Sequence, residues 1–266
     1  KWYSFGSRLR QRSRLFNRLL WDPMFGKWFR PLARNYPSMA LGSLFSDVYG
    51  ELPKETPFLA THPFAAHGAL EAGLNRVVNV IPDNCPLGFH LAAGGIQTVQ
   101  SPSAYFSFRT LRGMGAKNTP AKGVPSRHLA LTGHYVDHEL AANILPDCEA
   151  RFNRMDQGSP RRLLLSVGGA GAQQPLFEGI LRDLTPRLRE KSLTLFLNFG
   201  DHRHIAENLL SRLPGMEESA VWHRDWPDTV SFIESILAGE PVSGLHLFLH
   251  EDIFAAVYTT NLLMRV

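Results

Sequence analysis

Three stretches of the chain carry residue types that could do chemistry. The first is Leu163-Leu164-Leu165-Ser166-Val167-Gly168-Gly169-Ala170-Gly171-Ala172, an apolar run that ends in glycines ahead of a helix-like segment. Glycine lets the backbone approach a ligand closely, and the helix start behind it offers unpaired N–H groups, which suits a diphosphate. No Lys-Ser/Thr pair follows, so this is not a Walker loop, and Gln174 stands where the third glycine of a dinucleotide fingerprint belongs. A glycine turn between strand and helix can also be structural alone.

The second stretch is Thr61-His62-Pro63-Phe64-Ala65-Ala66-His67-Gly68 and the third Ile81-Pro82-Asp83-Asn84-Cys85-Pro86, each just past a predicted strand. Open parallel sheets build their sites on that edge, where Asp83 and His62 could act as a base and its orienting partner. They could equally cap the helices that follow. His62, His67, Cys85 and His90 gather in sequence, but at none of the spacings metal sites use, so no metal ligands are assigned. Asp201-His202-Arg203-His204 reads either as a polar helix start or as a ligand contact, and the missing G-x-S-x-G elbow argues against a serine hydrolase.

Alternating strands and helices must position these residues. Thr56–Thr61, Arg76–Ile81, Ile96–Gln100 and Arg127–Thr132 read as strands, with helices from His62 to Gly73 and from Ser103 to Gly115. After a helical stretch from Asp137 to about Asn153, the turn formers Asp156-Gln157-Gly158-Ser159-Pro160 suggest a linker. A second array follows: strands Arg162–Val167, Leu193–Phe199 and Leu245–Leu249, with helices Pro175–Lys191, His204–Leu213, Thr229–Leu237 and Asp252–Val266. The expected fold class is α/β, two Rossmann-like halves joined near residue 158, with 56–157 and 158–266 as domains and 1–55 as an N-terminal region.

The chain has 266 residues and a net charge of +4. Residues 1–34 hold nine basic side chains against Asp22 alone, and the remaining 232 residues sum to −4. A basic head on a mildly acidic body implies one localised anionic contact and excludes a body that coats nucleic acid. From Ser7 to Phe29, arginines interleave with Leu9, Phe16, Leu19, Leu20, Phe25 and Trp28, as in a surface helix or a membrane-surface contact. Two cysteines in a chain of this size point to a reducing, cytoplasmic setting without a disulfide framework. The start at Lys1 and the end at Leu262-Leu263-Met264-Arg265-Val266 read as a segment of something longer.

In order, these pieces resemble the two-domain GT-B glycosyltransferases, in particular the group of plant-type monogalactosyldiacylglycerol synthase, bacterial diacylglycerol glucosyltransferases and the peptidoglycan lipid-linked N-acetylglucosaminyltransferase. Thr61-His62-Pro63 resembles their "V-H-P", Ile81-Pro82-Asp83 their "I-T-D", and Gln100-Ser101-Pro102-Ser103 their "C-P-S". Thr132-Gly133-His134 is similar to the end of their last N-domain strand, and Leu165 to Gly171 to the strand and loop that open the donor domain. The likeness covers about residues 56–266. It lacks their N-terminal "G-H" turn and the later acidic stretch that holds the ribose.

The resemblance implies a hexosyltransferase in the full-length protein, moving a sugar from a nucleotide-sugar, a UDP-sugar in the first instance, to a lipid or other membrane-associated acceptor. No cofactor or metal is required in that reading, because amides and a helix dipole hold the leaving diphosphate. Asp83 and His62 are the implied catalytic pair, and Gly168, Gly169, Ala170, Gly171 and Ala172 the implied diphosphate loop. His250, Glu251 and Asp252 fall at the nucleotide, while Arg8, Arg12, Trp21, Trp28 and Arg30 fall where such enzymes meet a bilayer as peripheral proteins. The alternative is a non-catalytic GT-B-like scaffold that binds a nucleotide or a partner. A dehydrogenase-like cofactor binder would use Asp201 after the second strand, but lacks the third glycine.

Overall fold

The computed structural model describes residues 9, 13–23, 40–84, 88–111, 123–168, 174–213 and 215–266. The chain is α/β and contains two parallel four-stranded sheets in two compact units, which divide between Tyr135 and Val136.

In the first unit, β1 (Phe58–Ala60), β2 (Val77–Val80), β3 (Ile96–Val99) and β4 (Leu129–Leu131) pair in the order β1-β2-β3-β4. Right-handed crossovers in an order that never reverses put every connecting helix on one face. Helix α1 (Ala40–Tyr49) packs on α2 (Pro63–Glu71), while α3 (Pro102–Thr110) covers the β3–β4 side. Beneath α2 and α3 lie Ala60, Val77, Val99 and Leu129, together with Ala66, Ala69, Ala104 and Phe108 from the helices. Register places Leu59, Val78 and Ile96 on the opposite face, where Leu59 is 69% and Ile96 43% exposed.

Two polar residues, Asn79 and Gln97, are neighbours in register and sit in this core at 0% and 2% exposure. Buried amides are costly unless bonded, and every side-chain amide atom but Asn79 Oδ1, which has no partner among the described residues, is used here to hold the β2–β3 connection. Asn79 Nδ2 donates to Gln97 Oε1 and to His90 O, both at 2.7 Å. Gln97 Nε2 donates to Ala92 O at 2.7 Å and Gly95 O at 2.9 Å, and Gln97 Oε1 also accepts from Ala92 N.

In the second unit, β5 (Arg161–Ser166), β6 (Leu193–Asn198), β7 (Ala220–His223) and β8 (Gly244–Phe248) take the order β5-β6-β8-β7. Strand β6 is buried along its whole length, and its alternate residues face two different cores. Leu195 and Leu197 meet α6 (Gln174–Arg189) and α7 (Arg203–Ser211) on one face. Phe196 meets α8 (Trp226–Leu237) and α9 (Ile253–Leu263) on the other. Helices on both faces are what right-handed crossovers require once β7 overshoots β8 and the chain turns back.

The stretch 138–156 forms α4 (His138–Ala142) and α5 (Ile144–Asp156), which belong with the second sheet rather than the first. Arg154 Nη2 donates to Val266 O at 2.6 Å, and Arg265 lies 3.4 Å from Asp147 and 3.7 Å from Glu139. The turn formers at 156–160 therefore connect α5 to β5 inside one unit. Near the N-terminus, a helical turn Arg14–Phe16 passes into a π-helix at Asn17–Trp21. Among the described residues no helix is long and apolar enough to cross a membrane.

Helices α1 and α2 cross where glycines remove the side chains. A Cβ at Gly68 would stand 2.5 Å from Phe45 Cβ, and one at Gly42 would stand 3.3 Å from His67 O. Gly68→Ala adds helix propensity worth under about 1 kcal/mol but forces α1 off its seat, and overpacking of this kind costs about 1–3 kcal/mol. The expected outcome is a net loss of stability in urea unfolding of Gly68→Ala, with Gly50→Ala, where the nearest atom is 3.5 Å away, as the tolerated control.

Candidate functional site

Parallel strands deliver their carboxyl ends to one edge, and each sheet gathers its chemistry there. On the first sheet, His62 follows β1 and caps α2, its Nδ1 accepting from Phe64 N at 3.2 Å with Pro63 in the first turn. Burial lowers the His62 pKa. Asp83 follows β2 and pairs with His90, whose Nε2 lies 3.1 Å from Asp83 Oδ2. The imidazole of His90 is 8% exposed and the Asp83 carboxylate 66%, so a ligand hydroxyl can reach the acid while the histidine steadies it from below. Burial lowers the His90 pKa; Asp83 opposes that shift and nearby His62 reinforces it. A neutral His90 then donates to the carboxylate. The partner of Asp83 is thus His90, carried by the 88–90 turn that Asn79 holds.

Ser101 follows β3 and caps α3 through Ala104 N at 3.3 Å. Beside it, Gln100 Nε2 donates to Pro82 O and its Oε1 accepts from Tyr135 N at 3.1 Å, tying together the loops after β2, β3 and β4.

On the second sheet the strand order reverses between β6 and β8, and a cavity of about 310 Å³ opens there. Arg203 and Arg224 line it with Trp226, Leu249 and Ala255, and His250, Glu251 and Asp252 form the segment after β8. Arg203 Nη2 meets Glu251 Oε1 at 3.1 Å, both side chains being largely exposed. The Arg224 guanidinium lies 4.2 Å from the Trp222 ring centroid, a cation–π contact that sets its direction. Trp226 stands edge-on to His250 and Tyr258, with ring centroids 5.8 and 6.0 Å away. An apolar depression of about 690 Å³ continues past Trp226 over Ile253, Phe254, Val257 and Tyr258, and Phe254 there is 81% exposed.

Polar contacts of Asn198 and His202 hold this edge. Asn198, at the end of β6, donates to Ala256 O and Thr260 Oγ1 and accepts from Gly200 N, each at 2.9 Å. Gly200 takes φ +62° in the turn that follows, a conformation open to glycine at little cost. His202 Nε2 donates to Gly168 O at 3.2 Å, so the loop after β6 fastens the start of the glycine loop.

Of the expected diphosphate loop, Gly168 is exposed and bound to His202, while Gly169, Ala170, Gly171 and Ala172 lie outside the described residues. So do Arg8, Arg12, Trp28, Arg30 and Cys85; Trp21 is half-buried in the π-helix, its ring centroid 6.3 Å from that of Phe16. Glu251 lines the cavity paired with Arg203, His250 is buried in its wall, and Asp252 caps α9 by accepting from Phe254 N at 2.7 Å. Sequence reasoning missed Arg224 and Trp226 as site residues because it missed β7. The signal was Asp225, which accepts from Asp228 N at 3.1 Å, with Pro227 in the first turn: a helix start three residues earlier than the expected one at Thr229. Among the described residues no group of three or more His, Cys, Asp or Glu could hold a metal ion.

The fold and this edge define a two-sheet parallel α/β protein with an open site at the reversal point of its second sheet. Residues 124–266 match the family described as Domain of unknown function (DUF6938), and the chain belongs to that family. Residues 1–110 match Domain of unknown function (DUF6937). No curated protein and no solved structure matches the sequence.

Behind the cavity lies a buried pair of histidines. His246 Nε2 donates to Ser243 O at 3.3 Å, so its Nδ1 accepts from His223 Nε2 at 3.1 Å. His223 also stacks against Phe232 and Phe248, with centroids 4.2 and 4.5 Å away. A proton added to His246 Nδ1 would point at a donor, so the His246 ring stays neutral. Burial, and then His246 and His250, lower the His223 pKa to about 4. Its stabilising contribution is complete above its unfolded value near 6.5 and is lost as pH falls toward 4, because the unfolded state then binds the proton first. Between pH 7 and pH 5 this amounts to roughly 1–2 kcal/mol. Thermal unfolding should show the midpoint falling across that window, and His223→Phe, which keeps the stacking, should flatten the fall.

Proposed function

We propose that the protein is a glycosyltransferase of GT-B type, taking a sugar from a nucleotide-sugar to a membrane-associated acceptor. The cavity at the reversal of the second sheet carries the reading. It offers two guanidinium groups for a diphosphate and an indole for a base or sugar, at the position where open α/β sheets bind nucleotides. The apolar depression beside it suits a ligand with a hydrocarbon part.

In the first unit, the exposed Asp83 takes the proton of the acceptor hydroxyl while buried His90 holds the carboxylate in place. The acceptor oxygen then bonds to the anomeric carbon as the bond from that carbon to the diphosphate oxygen breaks. The nucleoside diphosphate leaves with the electron pair; within the second unit, taken by itself, Arg203 and Arg224 supply the positive charge that suits a bound diphosphate. In the absence of a donor Arg203 pairs with Glu251, so ligand phosphate and carboxylate compete for one guanidinium.

Calorimetric titration of the full chain with uridine diphosphate tests the donor half. Saturable binding is expected, weakened about tenfold by Trp226→Ala or Arg203→Glu and tightened about threefold by Glu251→Gln, which frees Arg203. Failure of any uridine nucleotide to bind would reject the reading. In a sugar-transfer assay with the full-length protein, Asp83→Asn should lower turnover by about 100-fold or more with nucleotide affinity unchanged. Nucleotide binding without any transfer would instead identify a scaffold.

A further inference from the structure

At the opposite, amino-terminal edge of the second sheet lies a separate cavity, of about 680 Å³, between the ends of α6 and α7. Its floor is aliphatic, made by Leu188, Leu213, Met216 and Leu245, and no aromatic ring lines it. Its rim carries four cations, Arg182, Arg189, Lys191 and Arg212, and no acid. Glu178 pairs with Arg182 at 2.8 Å and with Arg212 at 3.3 Å. Among the described residues neither Arg189 nor Lys191 has an acidic partner.

We infer that this cavity binds a long-chain carboxylate, with the alkyl chain on the aliphatic floor and the head group at Arg189 and Lys191. Its volume is that of a small-molecule site. A nucleobase or sugar ring is disfavoured because nothing there can stack on it. A phosphate group is disfavoured for a different reason. Helices α6 and α7 end at this edge, so the backbone presents carbonyls, the negative ends of both helix dipoles, instead of the N–H groups phosphate sites use. An anion is then held by side chains alone, which suits a monovalent head more than a divalent one. Basic residues also cap helix carboxyl ends without any ligand, but such capping needs no apolar hollow of this size between them.

Binding of dodecanoate below its micellar concentration, followed by calorimetry on the full chain, tests the inference. One saturable site is expected, with dodecanol at least tenfold weaker because it lacks the charge. Arg189→Glu/Lys191→Glu should weaken dodecanoate at least tenfold, and Ser243→Trp, at an exposed position on the rim, should abolish binding with the circular dichroism spectrum unchanged. Arg203→Glu at the other edge should have no effect. The inference is overturned if dodecanol binds as well as dodecanoate, if the double variant binds like the parent, if uridine diphosphate displaces the probe, or if binding is not saturable. None of these outcomes depends on whether the protein transfers sugars.

Discussion

Strand β8 pairs with β6 on one side and β7 on the other, and that insertion governs the chemistry of the second unit. Because β7 lies beyond β8, the chain must reverse to fill the gap, and a reversal sends α7 and α9 to opposite faces of the sheet. Between their starting points the edge cannot close. Arg203 arrives from one side, and His250, Glu251 and Asp252 from the other. The Asn198 amide pins the two sides by bonding the loop after β6 and the first turns of α9 at once. Leu197 and Phe248 have no exposure directly beneath, so the edge rests on a core that resists deformation.

The first unit solves a different problem. Its strand order never reverses, so it has no crevice of that origin, and its functional edge is shaped by polar contacts between loops. Asn79 and Gln97 occupy core positions where two aliphatic residues would pack well, yet they spend their donors on Ala92, Gly95 and the carbonyl of His90. Burying amides is tolerable only when they are bonded, and the bonds fix the segment that carries His90 beneath Asp83. Packing in this sheet therefore reaches its surface chemistry through two side chains.

Of the eight strands among the described residues seven were legible, because buried parallel strands are short apolar runs with β-branched or leucine-rich composition, as in Val77–Val80 and Leu193–Asn198. Strand β7 was not. It is an edge strand with one fully buried residue, His223, and Val221 is 49% exposed, so its pattern carries little hydrophobic signal. Losing it displaced the start of α8 and concealed Arg224 and Trp226. Helix α1 was hidden for another reason: its seat on α2 depends on glycines, Gly42 and Gly68, which read as breakers in isolation and as contact points only once the partner helix is known. The pairing of Asp83 was unreadable in principle. His62 and His90 lie on either side of it in sequence, and what sets His90 on Asp83 is the 88–90 turn, whose His90 carbonyl Asn79 holds.

The histidines show how burial separates roles that composition cannot. His246 is kept neutral by a one-way chain of hydrogen bonds ending at Ser243 O, His223 is kept neutral chiefly by burial, and aromatic rings pack against both. His202, at the surface of the same unit, instead grips Gly168 O. His250 is as buried as His223 and His246, at 2% exposure, and differs in its partners: burial lowers its pKa, and the Arg224 backbone, Asp225 and Asp252 oppose that shift. A ligand phosphate in the neighbouring cavity would add negative charge on the same side as those two aspartates and favour the protonated ring further. Of these three buried histidines His250 is the one that lines the cavity, so a bound anion would act on it most directly.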